Sequence, residues 1–198
     1  MVEMYGVPKR ASEFVTDQEL IDGIVQRDPL AMEQLFARHS LAIYRYVLRY
    51  SGDSSLAEDV VSEVFLDVWR GADKFRGSSR VSTWLIAIAR NKAISARRYQ
   101  PDFVVDDDDT MEPEWSAVDV EADANQSSRR VLIRNCLMKL PPVQREVLDL
   151  VYYHEKSVAE VAMIVGIPSG TVKTRMFRAR GRMVELLKGA GVVDFQMA

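Results

Sequence analysis

With 198 residues, 47% of them hydrophobic and 28% charged, the chain has the composition of a folded globular protein and the length of one ordinary domain or two small ones. No apolar run approaches the roughly 18–20 residues of a membrane span; one cysteine excludes an internal disulfide and suits a reducing compartment, and two isolated histidines give no metal-ligand spacing, so a cytoplasmic protein without membrane insertion, metal or cofactor is expected. The formal charge of −3 is unevenly spread: residues 1–100 hold 14 basic and 13 acidic groups, residues 101–128 none and 10, residues 129–198 12 and 6.

Residues 1–15 have no apolar core behind Lys9 and Arg10, and read as an extension rather than a secretion signal. Thr16-Asp17-Gln18-Glu19 is a capping box, in which a hydroxyl and a carboxylate satisfy the free amides of a helix start. Asp28-Pro29 opens a second helix, with proline in its first turn, running through LAMEQLFARHSLAIYRYVLRY to Gly52. Ser55-Leu56-Ala57-Glu58 reads as another capping box ahead of AEDVVSEVFLDVWRGA. There Asp59, Glu63 and Asp67 recur every four residues, as a solvated face or as an acidic docking ridge. A fourth helix is expected over about 82–98, after a loop containing Gly77, Ser78 and Ser79. Residues 16–100 thus form one helical domain.

From Lys74 to Pro101 the chain holds seven basic residues and no acidic one, interleaved with Phe75, Trp84 and Tyr99. Such a mixture suits single-stranded nucleic acid, because arginine tracks phosphate while rings accept unstacked bases. Arg76, Arg80, Arg97 and Arg98 supply the guanidinium groups. Trp84, with Leu85 and Ile88, fits a buried helix side, whereas Phe75 reads equally as core or as a stacking ring. Asn91, a poor helix former in mid-helix, suits a base edge.

Residues 101–128 contain two prolines and the run Asp106, Asp107, Asp108, Asp109, without helical or strand period. Charge repulsion and too little apolar surface predict a flexible acidic linker. The second domain, 129–188, begins with SRRVLIRNCLMKL, where Cys136 reads as a buried inert thiol, and continues through Pro141-Pro142 into VQREVLDLVYYHEK. Ser157-Val158-Ala159-Glu160 is a third capping box. Val158, Val161, Ala162 and Val165 lie on one face of the helix it starts; Gly166 supplies a sharp exit and Ser169 a cap for the last helix. There Val172, Met176, Ala179, Met183 and Leu186 form the packing stripe of a helix-turn-helix. Residues 189–198 are a tail. Nothing alternates with period two, so the fold class is all-α: two small helical domains joined by a flexible acidic linker.

Residues 166–183 carry five basic residues and no acidic one. At about 100° per residue, Lys173, Thr174, Phe177, Arg178 and Gly181 point away from the packing stripe. An outward aromatic beside cations suits the wall of the DNA major groove or a thymine methyl, with Arg175, Arg180 and Arg182 flanking at the phosphates. A solvated basic helix favoured by its own dipole is the alternative.

DPLAMEQLFARH, SLAEDVVSEVFLDVWRGADKFRG, STWLIAIARNKAISARRY and LPPVQREVLDLVYYHEKSVAEVAMIVGIPSGTVKTRMFRARGRM together resemble the extracytoplasmic-function sigma factors of bacterial RNA polymerase, in the family's order and spacing over roughly 16–100 and 129–188. The resemblance implies a non-enzymatic subunit that binds core RNA polymerase and promoter DNA, melts the −10 element with the first domain and reads the −35 element with the second. It implies that Phe75 and Asn91 form the pocket for a flipped non-template base, embraced by Arg76, Ser78, Ser79 and Arg80. Lys173, Thr174, Phe177 and Arg178 match the family's recognition-helix contacts. It makes the 56–71 helix, with Asp59, Glu63 and Asp67, the core-polymerase docking surface. The linker would thread the polymerase, where Asp106 to Asp109 either imitate the nascent transcript by charge or serve as a solubilising tether. An anti-sigma factor is the implied regulator, and a stress or envelope response the implied role. A sigma-like decoy that binds an anti-sigma factor without touching DNA is the competing reading.

Overall fold

The computed structural model describes residues 15–98 and 124–191, with side chains over 15–96 and 131–191. Helix α1 (Asp17–Val25) starts at the first capping box: Thr16 Oγ1 accepts the Glu19 amide at 3.3 Å, and the Glu19 carboxylate accepts the Thr16 amide at 2.7 Å. Asp28 caps α2 (Pro29–Ser51) through the Leu30 amide, and Gly52 ends it at φ 76°, the left-handed region that favours glycine.

Helix α3 (Ser54–Gly71) departs from the sequence expectation. Its cap is Asp53 rather than Ser55, the Asp53 carboxylate accepting the Leu56 amide at 3.1 Å. Either residue type can cap, but the anion also gains from the positive end of the helix dipole. A single 3-10 turn (Ala72–Lys74) and a short loop lead into α4 (Val81–Arg98). Between these four helices Ile21, Ile24, Leu35, Val47, Val64, Val68 and Leu85 are fully buried.

Helix α5 (Ala124–Met138) begins inside the stretch expected to be linker. The acidic run ends at Asp123, and no further acidic residue occurs before Glu146, so the repulsion that opposes ordering stops there. Next come α6 (Pro142–Tyr152), α7 (Val158–Val165), started by the Ser157–Glu160 box and ended by Gly166 at φ 73°, and α8 (Ser169–Gly189). The cap position of α8 falls on Pro168, which offers no side-chain hydrogen bond, so Ser169 is already helical. Val172, Met176, Ala179 and Met183 are buried as the stripe predicts, with Leu187 completing it and Leu186 at its edge.

The two helical blocks share a continuous apolar core. Val147, Leu150, Val161, Ile164, Val172 and Met176 join the cluster built by α1–α4. A second cluster of Cys136, Leu140, Leu148, Ala179, Met183 and Leu187 fixes α5 against α6 and α8. Among the described residues there is no strand, no helix long and apolar enough to cross a membrane, and no group of side chains that could hold a metal.

One contact between the blocks is acid-sensitive. Burial pushes the Glu160 carboxyl up, but hydrogen bonds from Thr83 and Ser157 and the charge of Lys156 outweigh it, bringing the pKa from 4.5 down to about 2. A depressed carboxylate contributes stability that is complete above its unfolded value and is lost as pH falls through its folded one. Thermal melting is therefore expected to weaken from about pH 4.5 towards 2, and Glu160→Gln should flatten that part of the profile.

Candidate nucleic-acid interfaces

Because α8 is pinned by its buried stripe, its opposite side faces outward. Phe177 is 79% exposed, and Lys173, Thr174 and Arg178 are exposed beside it. The Thr174 hydroxyl donates to the Gly170 carbonyl at 3.0 Å, which fixes its rotamer and leaves its oxygen as an acceptor. Arg182 is exposed and Arg175 half-buried. Arg180 is moored to α6: its Nε donates to the Tyr152 hydroxyl at 2.9 Å and its guanidinium lies 5.7 Å from that ring's centre. The result is a convex cationic face with an aromatic at its centre, suited to a polyanion with apolar edges.

Gly181 belongs to this face, and a Cβ built there meets nothing within 4 Å. Glycine inside a helix costs about 1 kcal/mol relative to alanine, and no neighbour in the chain requires it. Gly181→Ala is expected to raise stability by about 0.5–1 kcal/mol in urea denaturation.

In the first block, the Phe75 ring lies 5.0 Å from Trp84 at 42°, and both half-buried rings rest on the core. Phe75 is therefore at once a packing residue and part of an aromatic pair beside the loop. Gly77 turns that loop at φ 66°, with Arg76, Gly77 and Ser78 exposed. The Ser79 hydroxyl donates to the Arg80 carbonyl at 3.3 Å. Asn91 is exposed on α4, seven residues and so about 10 Å beyond Trp84 on the same face. Arg80 extends towards the second block, its Nε 3.8 Å from Glu160 Oε1. The Arg97 and Arg98 side chains lie outside the described residues, as do Asp106, Asp107, Asp108 and Asp109.

Asp59, Glu63 and Asp67 are exposed along α3. Lys92 of α4 reaches two of them, with Nζ 3.2 Å from Glu63 and 2.8 Å from Asp67. Burial pulls the Lys92 pKa down, but these carboxylates more than reverse that and hold the ammonium charged. The ridge is thus partly neutralised at one end. Sequence reasoning missed Lys92, whose partners are set by the packing of α3 on α4. It also missed an apolar groove between α2 and α3, lined by Phe36, Leu41, Tyr44 and Val61 with Ser40, Glu58 and Ser62. Phe36 and Leu41 are 45% and 55% exposed. Their position off the buried stripe Ala31, Leu35, Ile43 and Val47 was the available signal.

Comparison with known proteins accounts for both blocks. Residues 35–101 match the sigma-70 region 2 model and residues 130–183 the sigma-70 region 4 model. The ECF RNA polymerase sigma factor SigL of Mycobacterium tuberculosis is 33% identical over 175 residues, covering 87% of this chain and 97% of its own. The RNA polymerase sigma-H factor of Pseudomonas aeruginosa is 30% identical over 173 residues, covering 83% and 90%. CarQ, an RNA polymerase sigma factor of Myxococcus xanthus, is 33% identical over 170 residues, covering 85% and 94%. Among solved structures, CnrH in complex with the cytosolic domain of CnrY superimposes with a TM-score of 0.64 at 25% identity, over 87% of this chain and 97% of that one. The sigma factor RpoE from Bartonella quintana, in complex with the anti-sigma factor NepR, gives 0.59 at 26%, over 82% and 98%. With both sigma-70 regions in order and relatives alike over nearly the whole length, the chain belongs to the ECF sigma factors, the subunits with which RNA polymerase initiates transcription.

Proposed function

We propose that this sigma factor reads its promoter with two separate faces. The outer side of α8 enters the duplex −35 element, with Lys173, Thr174, Phe177 and Arg178 at base edges and Arg175 and Arg180 towards phosphates. The loop around residues 75–80 holds the melted −10 strand. Phe75 and Asn91 take an unpaired base there, Ser78 and Ser79 line the turn, and Arg76, Arg80, Arg97 and Arg98 meet phosphates. The observation that carries this reading is Phe177, a ring 79% exposed on an acid-free helix face. An apolar ring so placed gains nothing within the chain, but gains on desolvation against a thymine methyl.

Core polymerase docks on the Asp59, Glu63 and Asp67 side of α3, with the Phe36–Leu41 groove beside it offering apolar contact. Asp106 to Asp109 follow the RNA path as a charge mimic of the transcript. The protein works in the cytoplasm in a stress or envelope response, restrained by an anti-sigma factor as RpoE is bound by NepR. Reconstituted transcription on matched and scrambled promoters tests the reading. Initiation should depend on this chain and on the matched sequence; a chain that binds an anti-sigma factor yet never supports initiation is the decoy instead.

A further inference from the structure

The charged and polar side chains buried among the described residues gather in one place. Thr83, Glu146, Asp149, Lys156 and Glu160 all lie where α6, α7 and the turn between them meet α2 and α4. Glu146 Oε1 accepts from the Tyr46 hydroxyl at 2.9 Å and from Arg90 Nε at 2.7 Å. Asp149 pairs with Arg49, whose guanidinium also lies 2.7 Å from His154 Nε2 and 4.7 Å from the centre of the Tyr153 ring. The Thr83 hydroxyl donates to Glu160 Oε1 at 2.7 Å, Lys156 Nζ donates to Ser82 Oγ at 2.6 Å, and Arg80 approaches Glu160. Three arginines of the first block thus face three carboxylates of the second.

A permanent core excludes such groups, because desolvating an ion pair returns little net stability. A surface that must also exist in water favours them, since both halves stay soluble when apart while the pairing fixes their register. The masked positions are informative. Arg80, Ser82 and Thr83 adjoin the loop assigned above to single-stranded DNA, on which reading this inference partly rests. Distance points the same way. Sites at −10 and −35 are about 25 base pairs, or roughly 85 Å, apart along a duplex. A closed body of this size is roughly 40 Å across. The 25 residues from 99 to 123 span at most about 85 Å, enough for the blocks to part.

We propose that this polar seam is a reversible latch: in the free chain Glu146, Asp149 and Glu160 occupy arginines of the first block, hold both DNA-reading faces on one small body, and deny the loop to single-stranded DNA until docking on polymerase parts the blocks. The test is Glu146→Gln with Asp149→Asn, near-isosteric changes that keep the packing of α6. Small-angle scattering should show a larger radius of gyration with unchanged helical circular dichroism. A labelled single-stranded −10 oligonucleotide should bind at least tenfold tighter at equal salt. If that variant misfolds, Arg49→Gln with Arg90→Gln opens the seam from the other side and should give the same two results. A folded variant of unchanged radius overturns the latch. Expansion without tighter binding overturns the masking, provided that Phe75→Ala polymerase holoenzyme is still defective in promoter opening. If that holoenzyme opens promoters normally, the loop assignment has failed instead, and the radius alone decides the latch.

Discussion

Replacing Phe177 and Arg178 together by alanine is expected to lower affinity for a −35-dependent promoter about a hundredfold, while binding to core polymerase is unchanged. Each base-edge contact of this kind is worth about 1–3 kcal/mol, so losing two costs about 2–4 kcal/mol before any coupling. Both side chains are exposed and serve no packing in the chain, so the double variant should melt within about 0.5 kcal/mol of the parent. Fluorescence anisotropy of the holoenzyme on promoter fragments, alongside gel filtration with core enzyme, separates the outcomes. Loss of core binding would show that the face has been misassigned. Lys173→Ala should behave differently: if it meets phosphate, binding weakens on all sequences alike and the salt slope falls by about one.

Phe75 carries the second large effect, and its contact with Trp84 dictates how it must be tested. Alanine removes a ring that packs on the core, so a defect could arise from lost packing as well as lost stacking. Leucine retains most of the apolar contact and removes only the aromatic face. Phe75→Leu holoenzyme is therefore expected to open promoters about 10–100-fold more slowly, from about 1–3 kcal/mol of base stacking, with a small change in melting temperature. A promoter with a premelted −10 bubble should recover part of the rate, because the unstacking cost has been met in advance. Permanganate footprinting follows the opening, and an unchanged rate for Phe75→Leu would remove the ring from the pocket.

What was legible in the sequence was what short-range rules determine. The Thr16 and Ser157 boxes, the glycine exits at 52 and 166, and the two sides of α8 all follow from neighbours within one or two turns. The Ser55 expectation failed because Asp53, two residues earlier, competes for the same amides. Glu160 was legible as a capping residue only. One of its oxygens accepts from Ser157 as a box requires, while the other accepts from Thr83, 77 positions away. Arg49 and Asp149 are separated by 100 positions, and no periodicity connects them. The charge census separated the acidic strap from two basic ends, yet could not show that arginines of the first block are matched by carboxylates of the second. Lys92 bridging Glu63 and Asp67 was hidden for the same reason, as a product of how two helices stack.

The apolar core common to both halves bears on what happens when the chain is cut. A protease acting anywhere between Arg98 and Ala124 would yield two polypeptides that each keep their share of that core, and the particle would elute at its former size. Scission would become visible only in a denaturing gel or once the fragments were drawn apart. By the same logic, the halves expressed from separate plasmids should find one another and reassemble.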